Sequence, residues 1–475
     1  VIINPYIFRM YDIRGEVGSE INADFAYILG KAFGTYLDSV VGHTRWVAVG
    51  RDNRHSSEPL QSALCKGLVD TGCNVLDIGL SPSPVMNFTV VNWGLSGGIN
   101  VTGSHTPPNK NGFKLVGPSA YPVAESDIQR LLQIIEKQSF TAGNGLIATT
   151  QPKEAYIRKL ISLISLRRPL TVVIDAGNGV AGLFAPELLK RLGCDVIQLY
   201  CKADSDYPNH LPNPENTETL QSLRKVVVNC AADIGLAYDG DGDRLGVINE
   251  KGDLCTAEQV LVLLSRGFLE RHPGAKVMLD VKSSQSAIDE IFRSGGEPVL
   301  WKTGHSLIKR KMHQDGILLA GEASGHFFTA EDYYPIDDAM LASCRLLEYL
   351  SSHSAPLTSL LSSMKIRKQE SFEAPCPDAE KSRVVAEVQG YFRKRYPMVD
   401  IDGARLQMDG GWALVRASNT SAAISIKFEA DTLEKLHCIK KEVLSFLKKF
   451  PQVELSHFLD DSSCRNVTSS LLLKD

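Results

Sequence analysis

Apolar and polar positions along the chain form a pattern that recurs three times. An apolar run over 46–50 ends in the polar pair Arg51-Asp52, an amphipathic stretch over 58–71 follows, and beyond Gly72 a second run covers 74–78. These spacings predict strand, helix, strand. A third apolar run over 97–101 then leads into Thr102-Gly103-Ser104-His105-Thr106-Pro107-Pro108. The order returns with strands at 170–175 and 195–199, a helix reaching 192, and a third strand at 234–238 that leads into Asp239-Gly240-Asp241-Gly242-Asp243-Arg244. It returns again with strands at 277–281 and 298–301, a helix reaching 293, and a strand over 316–320 leading into Gly321-Glu322-Ala323-Ser324-Gly325-His326. Strands alternating with amphipathic helices predict α/β units with mixed, largely parallel sheets.

Past residue 375 the texture changes. A helix is expected over 378–395, a hairpin turn at Asp409-Gly410-Gly411, half-buried strands over 412–416 and 423–429, and a closing helix over 432–450. The chain therefore reads as three similar α/β domains, 1–148, 149–253 and 254–369, plus a smaller α+β domain, 370–475, around a central cleft. Ligands in such sheets gather at the carboxyl ends of strands, so three equivalent strand ends with three unlike polar loops predict one composite site.

Composition narrows the function classes. A formal charge of −4 over 475 residues, with both signs interspersed, gives no broad basic field and argues against nucleic-acid binding. No apolar run approaches the ~18–20 residues of a membrane span. Ten cysteines lie singly, without a Cys-x-x-Cys pair, as expected of reduced thiols. The expectation is a cytoplasmic monomer with no membrane partner.

The loops carry the chemistry. Pro107 and Pro108 forbid helix after Ser104 and remove two backbone donors, which places Ser104 on a stiffened loop at a strand end. Asp239, Asp241 and Asp243 alternate with glycines, so their carboxylates can converge. At 4 Å and an effective dielectric of 20, each such pair repels by ~4 kcal/mol, and a cation resolves the conflict. Oxygen ligands with open positions suit Mg²⁺. An EF-hand would place Glu250 at its twelfth position, but Arg244 stands where position six requires glycine, and strands rather than helices flank the loop. Gly177-Asn178-Gly179-Val180-Ala181-Gly182 fits a dinucleotide fingerprint, yet Leu199, Tyr200 and Cys201 stand where the ribose-binding acid belongs, so it reads as a strand-to-helix turn. Arg416, Ser418, Asn419 and Thr420 combine a guanidinium with neutral donors, a mixture suited to phosphate. Glu322 and Ser324 suit vicinal sugar hydroxyls. His326 and His305 stand beside them as histidines that are either structural or catalytic.

With these residues in view, the chain resembles the α-D-phosphohexomutase family over essentially its whole length. Four motifs occur in the family's order: the serine loop at Ser104, D-G-D-G-D-R at Asp239, G-E-x-S-G-H at Glu322 and R-x-S-N-T at Arg416. Phe8-Arg9-Met10-Tyr11-Asp12-Ile13-Arg14-Gly15 resembles the family's N-terminal segment. The resemblance implies that Ser104 carries a phosphoryl group and that, through this phosphate, it joins Asp239, Asp241 and Asp243 around Mg²⁺. A hexose 1,6-bisphosphate is then the intermediate and activator. It further implies catalytic support from Arg14, Lys114, Arg244 and His326, and substrate contacts from Tyr11, Lys282, His305, Glu322, Ser324, His326, Arg416, Ser418, Asn419 and Thr420. The substrate implied is a hexose phosphate of the phosphomannomutase/phosphoglucomutase branch. Phosphoglucosamine mutase and a non-catalytic sugar-phosphate-binding homologue are the alternatives. Two positions depart from the family pattern: Thr106 stands where Asn is frequent and Ala422 where Pro is frequent.

Overall fold

The computed structural model describes residues 4–10, 12–42, 45–418 and 421–455. The chain divides into two compact units, one carrying three sheets up to Met364 and the other carrying a fourth sheet from Lys365.

In the first sheet β1 (Ile13–Glu16), β2 (Trp46–Arg51), β3 (Asn74–Leu80), β4 (Gly97–Val101), β5 (Lys110–Val116) and β6 (Ile147–Thr149) lie in the order β1-β5-β4-β2-β3-β6. The second holds β7 (Thr171–Asp175), β8 (Asp195–Leu199), β9 (Ile234–Tyr238), β10 (Leu245–Ile248) and β11 (Leu254–Cys255) in the order β11-β10-β9-β7-β8. The third holds β12 (Lys276–Asp280), β13 (Glu297–Trp301), β14 (Leu319–Gly321) and β15 (Phe327–Thr329) in the order β13-β12-β14-β15. One motif underlies all three. Three parallel strands are followed by a fourth that turns back antiparallel on the third, as β5 does on β4, β10 on β9 and β15 on β14. The Ser104, Asp239 and Glu322 loops are the tips of these three hairpins.

The inner parallel strands β4 and β9 are buried at every position, which is why they read as continuous apolar runs rather than as alternations. One apolar core runs from Met86 and Phe88 through Leu236 and Leu264 to Phe327 and Leu346, joining side chains from all three sheets' layers. Asp338 adds a polar tie within this unit. It caps the helix Ala339–Ser351, accepting from the backbone N–H groups of Met340 and Leu341, and also accepts from the Tyr156 hydroxyl at 2.8 Å.

The third repeat corrects one expectation. The strand expected over 316–320 is only Leu319–Gly321. Gly316 adopts φ +65 and caps the helix His305–Asp315, and both its N–H and that of Ile317 return to the Met312 carbonyl. The first residues of the apolar run are spent closing a helix.

The second unit is an antiparallel sheet of β16 (Lys368–Pro375), β17 (Met398–Val399), β18 (Ala404–Met408), β19 (Gly411–Ala417) and β20 (Ala423–Ala430), ordered β16-β20-β19-β18-β17. The helices Asp378–Phe392 and Leu433–Leu447 cover its core through Val384, Val388, Leu436 and Val443. Asp409 and Gly410 form the tight turn between β18 and β19, with Gly410 at φ +72. Among the described residues no helix is long and apolar enough to cross a membrane.

Candidate functional site

Ser104 sits at the tip of the β4–β5 hairpin with φ +50, a left-handed conformation that an L-serine adopts only when held there. The restraint comes from residues beyond the two prolines. Arg54 is buried, and its guanidinium donates to four carbonyls of this tip: Ser104 at 2.8 Å, Thr106 at 2.6 Å, Pro107 at 2.7 Å and Lys110 at 3.0 Å. Asp52, fully buried, receives Arg54 Nε at 3.1 Å, the Gly103 N–H at 2.9 Å and the Thr102 hydroxyl at 3.0 Å. Thr106 contributes through its own hydroxyl, which donates to the Gly103 carbonyl at 2.6 Å. The other departure, Ala422, accepts from the Cys376 N–H at 3.0 Å.

Ser104 Oγ lies 2.6 Å from Asp239 Oδ2 and 3.2 Å from His105 Nδ1. Asp239, Asp241 and Asp243 are all buried, with ligand-capable oxygens within 4.8 Å of one another. Lys114, reaching in from β5, bonds Asp241 at 2.6 Å and also Asp243. Burial lowers the affinity of Lys114 for its proton, but Asp241, Asp243 and Asp239 outweigh this and hold it well above the usual lysine range. Burial, with Asp243 and Asp241 adjacent, pushes Asp239 well above the usual carboxylate range. Burial acts on Asp243 in the same sense, yet Lys114 and His326 prevail and hold it well below that range.

This donor set fits a hard divalent cation. Three carboxylates converge, and Asp241 Oδ1 is buried without a hydrogen-bond partner. A residue of the first sheet's layer supports the set from behind. The Ser83 hydroxyl donates to Asp241 Oδ2 at 2.5 Å, the Ser83 N–H donates to the Asp241 carbonyl at 2.8 Å, and Asn100 Nδ2 donates to the Ser83 hydroxyl at 2.9 Å.

The third tip adjoins the second through backbone. Arg244 and His326 form an antiparallel bridge, and the Leu245 N–H donates to the Gly325 carbonyl at 3.0 Å. His326 Nδ1 lies 2.9 Å from Glu322 and its Nε2 lies 3.4 Å from Asp243. Burial lowers the His326 pKa, but Asp243 and Glu322 raise it further, to about 9. Glu322 is held down at about 2: burial raises it, and the His326 hydrogen bond together with the charges of His326, His305 and Lys282 more than compensate. Glu322 also accepts from the Gly304 N–H at 2.6 Å, and the Ser324 hydroxyl lies 3.1 Å from His326 Nδ1. His305 is buried beside Asp337 at 3.3 Å, its ring 5.4 Å from that of His326. Ser104, Lys114, the three aspartates, His326, Glu322, Ser324 and His305 are thus brought together by the chain of contacts just given.

Other expected residues stand as follows. Arg14 pairs with Asp12 at 2.7 Å, Arg244 with Glu215 at 2.8 Å, and Lys282 lies 3.9 Å from Asp280. In the second unit Arg416 is buried against Asp402 at 3.1 Å and the Ser418 hydroxyl lies 3.3 Å from Glu373. Tyr11, Asn419 and Thr420 lie outside the described residues.

Sequence reasoning missed Asp52, Arg54, Ser83, His105 and Lys381. Lys381 donates to the Ser418 and Ser421 carbonyls at 2.7 and 3.1 Å, supporting the loop that begins at Ser418. The signal for two of them was present: Asp52 and Arg54 follow the first predicted strand in the polar stretch Arg51-Asp52-Asn53-Arg54, at the strand end where ligand loops gather.

Three repeated hairpin tips on three α/β sheets, with a fourth antiparallel domain, define an enzyme of the phosphohexomutase class. Models of the phosphoglucomutase/phosphomannomutase α/β/α domains I, II and III match residues 5–142, 154–252 and 256–366, and that of the C-terminal domain matches residues 373–445. The chain is 40% identical to phosphomannomutase/phosphoglucomutase of Pseudomonas aeruginosa over 93% of its length and 95% of that protein's, and 38% identical to phosphoglucomutase of Neisseria gonorrhoeae over 94% and 98%. A phosphoglucomutase/phosphomannomutase family protein of Burkholderia thailandensis superposes with a TM-score of 0.88 at 35% identity, covering 94% of this chain and 98% of that one. The chain belongs to the phosphoglucomutase/phosphomannomutase family.

Proposed function

We propose that this chain interconverts hexose 1-phosphate and hexose 6-phosphate, with mannose and glucose phosphates as substrates, by passing a phosphoryl group through Ser104. The observation that carries the reading is Ser104 Oγ held at 2.6 Å from Asp239, on a tip fixed at φ +50 by Arg54. In the first half-reaction the Oγ–P bond of phosphoserine breaks as a P–O bond forms to the free sugar hydroxyl; that hydroxyl loses its proton and Ser104 Oγ gains one. The bound hexose 1,6-bisphosphate reverses. In the second half-reaction its other P–O bond to the sugar breaks, Oγ–P re-forms as the Ser104 hydroxyl loses its proton, and a proton returns to the sugar oxygen.

Mg²⁺ would be held by Asp239, Asp241 and Asp243 with an oxygen of phosphoserine, and when bound it supplies positive charge that stabilises the transferring phosphoryl group. Such a transfer asks chiefly for positioning and charge, and the chain's own residues supply both. Lys114 brings an ammonium to the oxygens of Asp241 and Asp243, and Arg14 and Arg244 are proposed to add guanidinium charge. Lys114 and His326 are the groups proposed to exchange the hydroxyl proton, at opposite orientations of the sugar. Glu322 and Ser324, with Lys282 and His305, are proposed to grip sugar hydroxyls, which select the substrate. Tyr11 is assigned to substrate, and Arg416 and Ser418, with Asn419 and Thr420, to the phosphate that is not reacting. We also place the domain limits at 148, 253 and 369, and take the protein as a cytoplasmic monomer.

Intact-mass measurement after incubation with glucose 1,6-bisphosphate tests the reading. Wild type should gain one phosphoryl group and Ser104→Ala none, with mutase flux lost in parallel. An unlabelled wild type would support the non-catalytic sugar-phosphate-binding alternative. A preference above ~100-fold for glucosamine 1-phosphate, about 2.7 kcal/mol in transition-state binding, would move the substrate to the amino sugar.

A further inference from the structure

The stretch Gly177-Asn178-Gly179-Val180-Ala181-Gly182, a dinucleotide fingerprint by spacing alone, follows β7 and meets two parts of the site at once. Toward the aspartates, the Val180 N–H donates to the Gly240 carbonyl at 3.3 Å, and a Cβ on Gly179 would stand 3.0 Å from that same oxygen. Backbone meets backbone there, which is what a glycine permits. Toward the serine, the Asn178 carbonyl accepts from Asn53 Nδ2 at 3.0 Å. Asn178 has φ +61, a left-handed conformation that asparagine tolerates, and its amide is pinned at both ends, donating to the Lys202 carbonyl and accepting from Asn209, each at 2.8 Å.

Asn53 stands between Asp52, which holds the Gly103 N–H, and Arg54, which holds the Ser104 carbonyl. It is buried, and among the described residues its Oδ1 has no hydrogen-bond partner. Burying an amide with one end unsatisfied is unfavourable, so the bond from its other end, to Asn178, is what this side chain contributes. The loop after β8 bonds the same residue a second time, the Ser205 hydroxyl donating to the Asn53 carbonyl at 2.5 Å, and lays the Tyr207 ring 5.9 Å from the Arg54 guanidinium.

These contacts close a ring. Arg54 holds Ser104, its neighbour Asn53 holds Asn178, Val180 holds Gly240, and Asp239 beside Gly240 returns to Ser104 Oγ at 2.6 Å. We propose that Asn53 is a positioning residue for phosphoryl transfer: its bond to the 177–182 turn sets the separation between Ser104 and the aspartate loop. The link to turnover rests on the proposed mutase reading; the separation itself does not. A displacement of about 1 Å between reacting groups costs on the order of 100-fold in rate, so a ring of this kind has a measurable effect.

Asn53→Ala removes the bond and leaves Asp52, Arg54, the three aspartates and the sugar-binding residues in place. In this variant kcat should fall about tenfold or more with KM within about twofold of wild type, and phosphoryl uptake from glucose 1,6-bisphosphate, followed by intact mass, should slow by the same factor. Ser205→Ala, which removes the companion bond from a half-buried position, should lower kcat in the same direction and keeps the test open if Asn53→Ala does not fold. In metal-free crystals of either variant the distance from Ser104 Oγ to Asp239 should open from 2.6 Å to beyond about 3.5 Å. Wild-type kcat in the folded variants, a distance still at 2.6 Å, or a loss confined to thermal stability would each overturn the proposal. A wild type without mutase activity, with the distance opened in the variants, would count against the functional reading alone.

Discussion

Arg54 Nη2 donates to the carbonyl oxygen of Ser104 at 2.8 Å, across 50 positions of sequence. The same guanidinium satisfies three more carbonyls of the tip, so the Ser104 backbone is held by one planar fork. Arg54→Lys keeps the charge and loses the fork, leaving buried carbonyls unpaired. The expected result is a fall in kcat of about 100-fold with KM little changed, and a loss of roughly 2–4 kcal/mol in stability. Steady-state kinetics and urea unfolding measure both, and wild-type kcat in this variant would show that the prolines suffice.

Gly240 approaches the same residue from the second sheet. A Cβ there would lie 2.4 Å from the Ser104 carbonyl oxygen, and because the obstacle is backbone it cannot rotate aside. Gly240→Ala should push the serine and aspartate tips apart and lower kcat at least tenfold, by about 1.4 kcal/mol or more, while the melting curve stays cooperative. Retained kcat would mean the two tips give way freely.

Ser83→Ala removes the hydroxyl behind Asp241 and leaves the three carboxylates in place. Weaker Mg²⁺ activation, about tenfold or more in the half-saturating concentration, is the expected outcome. Chelation of Mg²⁺ from wild type should abolish turnover while circular dichroism stays unchanged, since the sheets' cores do not pass through the triad. Mg²⁺ activation that is identical in Ser83→Ala and wild type would remove Ser83 from the positioning role.

The Glu322–His326 pair gives stability a defined pH dependence. The Glu322 carboxyl is held at about 2, so its contribution is present above the unfolded value of 4.5 and lost as pH falls through about 2. His326 is held at about 9, so its contribution is present below 6.5 and lost as pH rises through about 9. Glu322 owes its low value chiefly to His326, worth roughly 3 kcal/mol, whereas His326 owes its high value first to Asp243 and then to Glu322. Glu322→Gln should flatten the acid flank of the unfolding free energy and, with Asp243 still in place, leave much of the alkaline flank. An acid slope that matches wild type would show that the coupling is not the source.

The repeat, the fold class and the three tips were legible because strand and helix periods and loop composition are local properties. Asp52 was readable as a polar strand end but not as the anchor of Gly103, since that pairing spans 51 positions. The left-handed backbone of Ser104 was not readable either, because serine rarely adopts it and nothing beside Ser104 in sequence demands it. Only the Arg54 fork, assembled in three dimensions, does. The strand over 316–320 was misjudged for a related reason. Apolar residues 317 and 318 look like strand, yet Gly316 has already committed that stretch to a helix cap.

Ser104 and its partner Asp239 are 135 positions apart in the chain. During synthesis at about 5–20 residues per second, those 135 positions take roughly 7 to 27 seconds, so the serine tip exists that long before Asp239 does. By then Asp52, Arg54, Thr102 and Thr106, which all bond the tip in the folded protein, are already made. The Arg54 fork that holds the Ser104 backbone therefore needs no residue made after Lys110, and Asp239 is the later-made half of this contact.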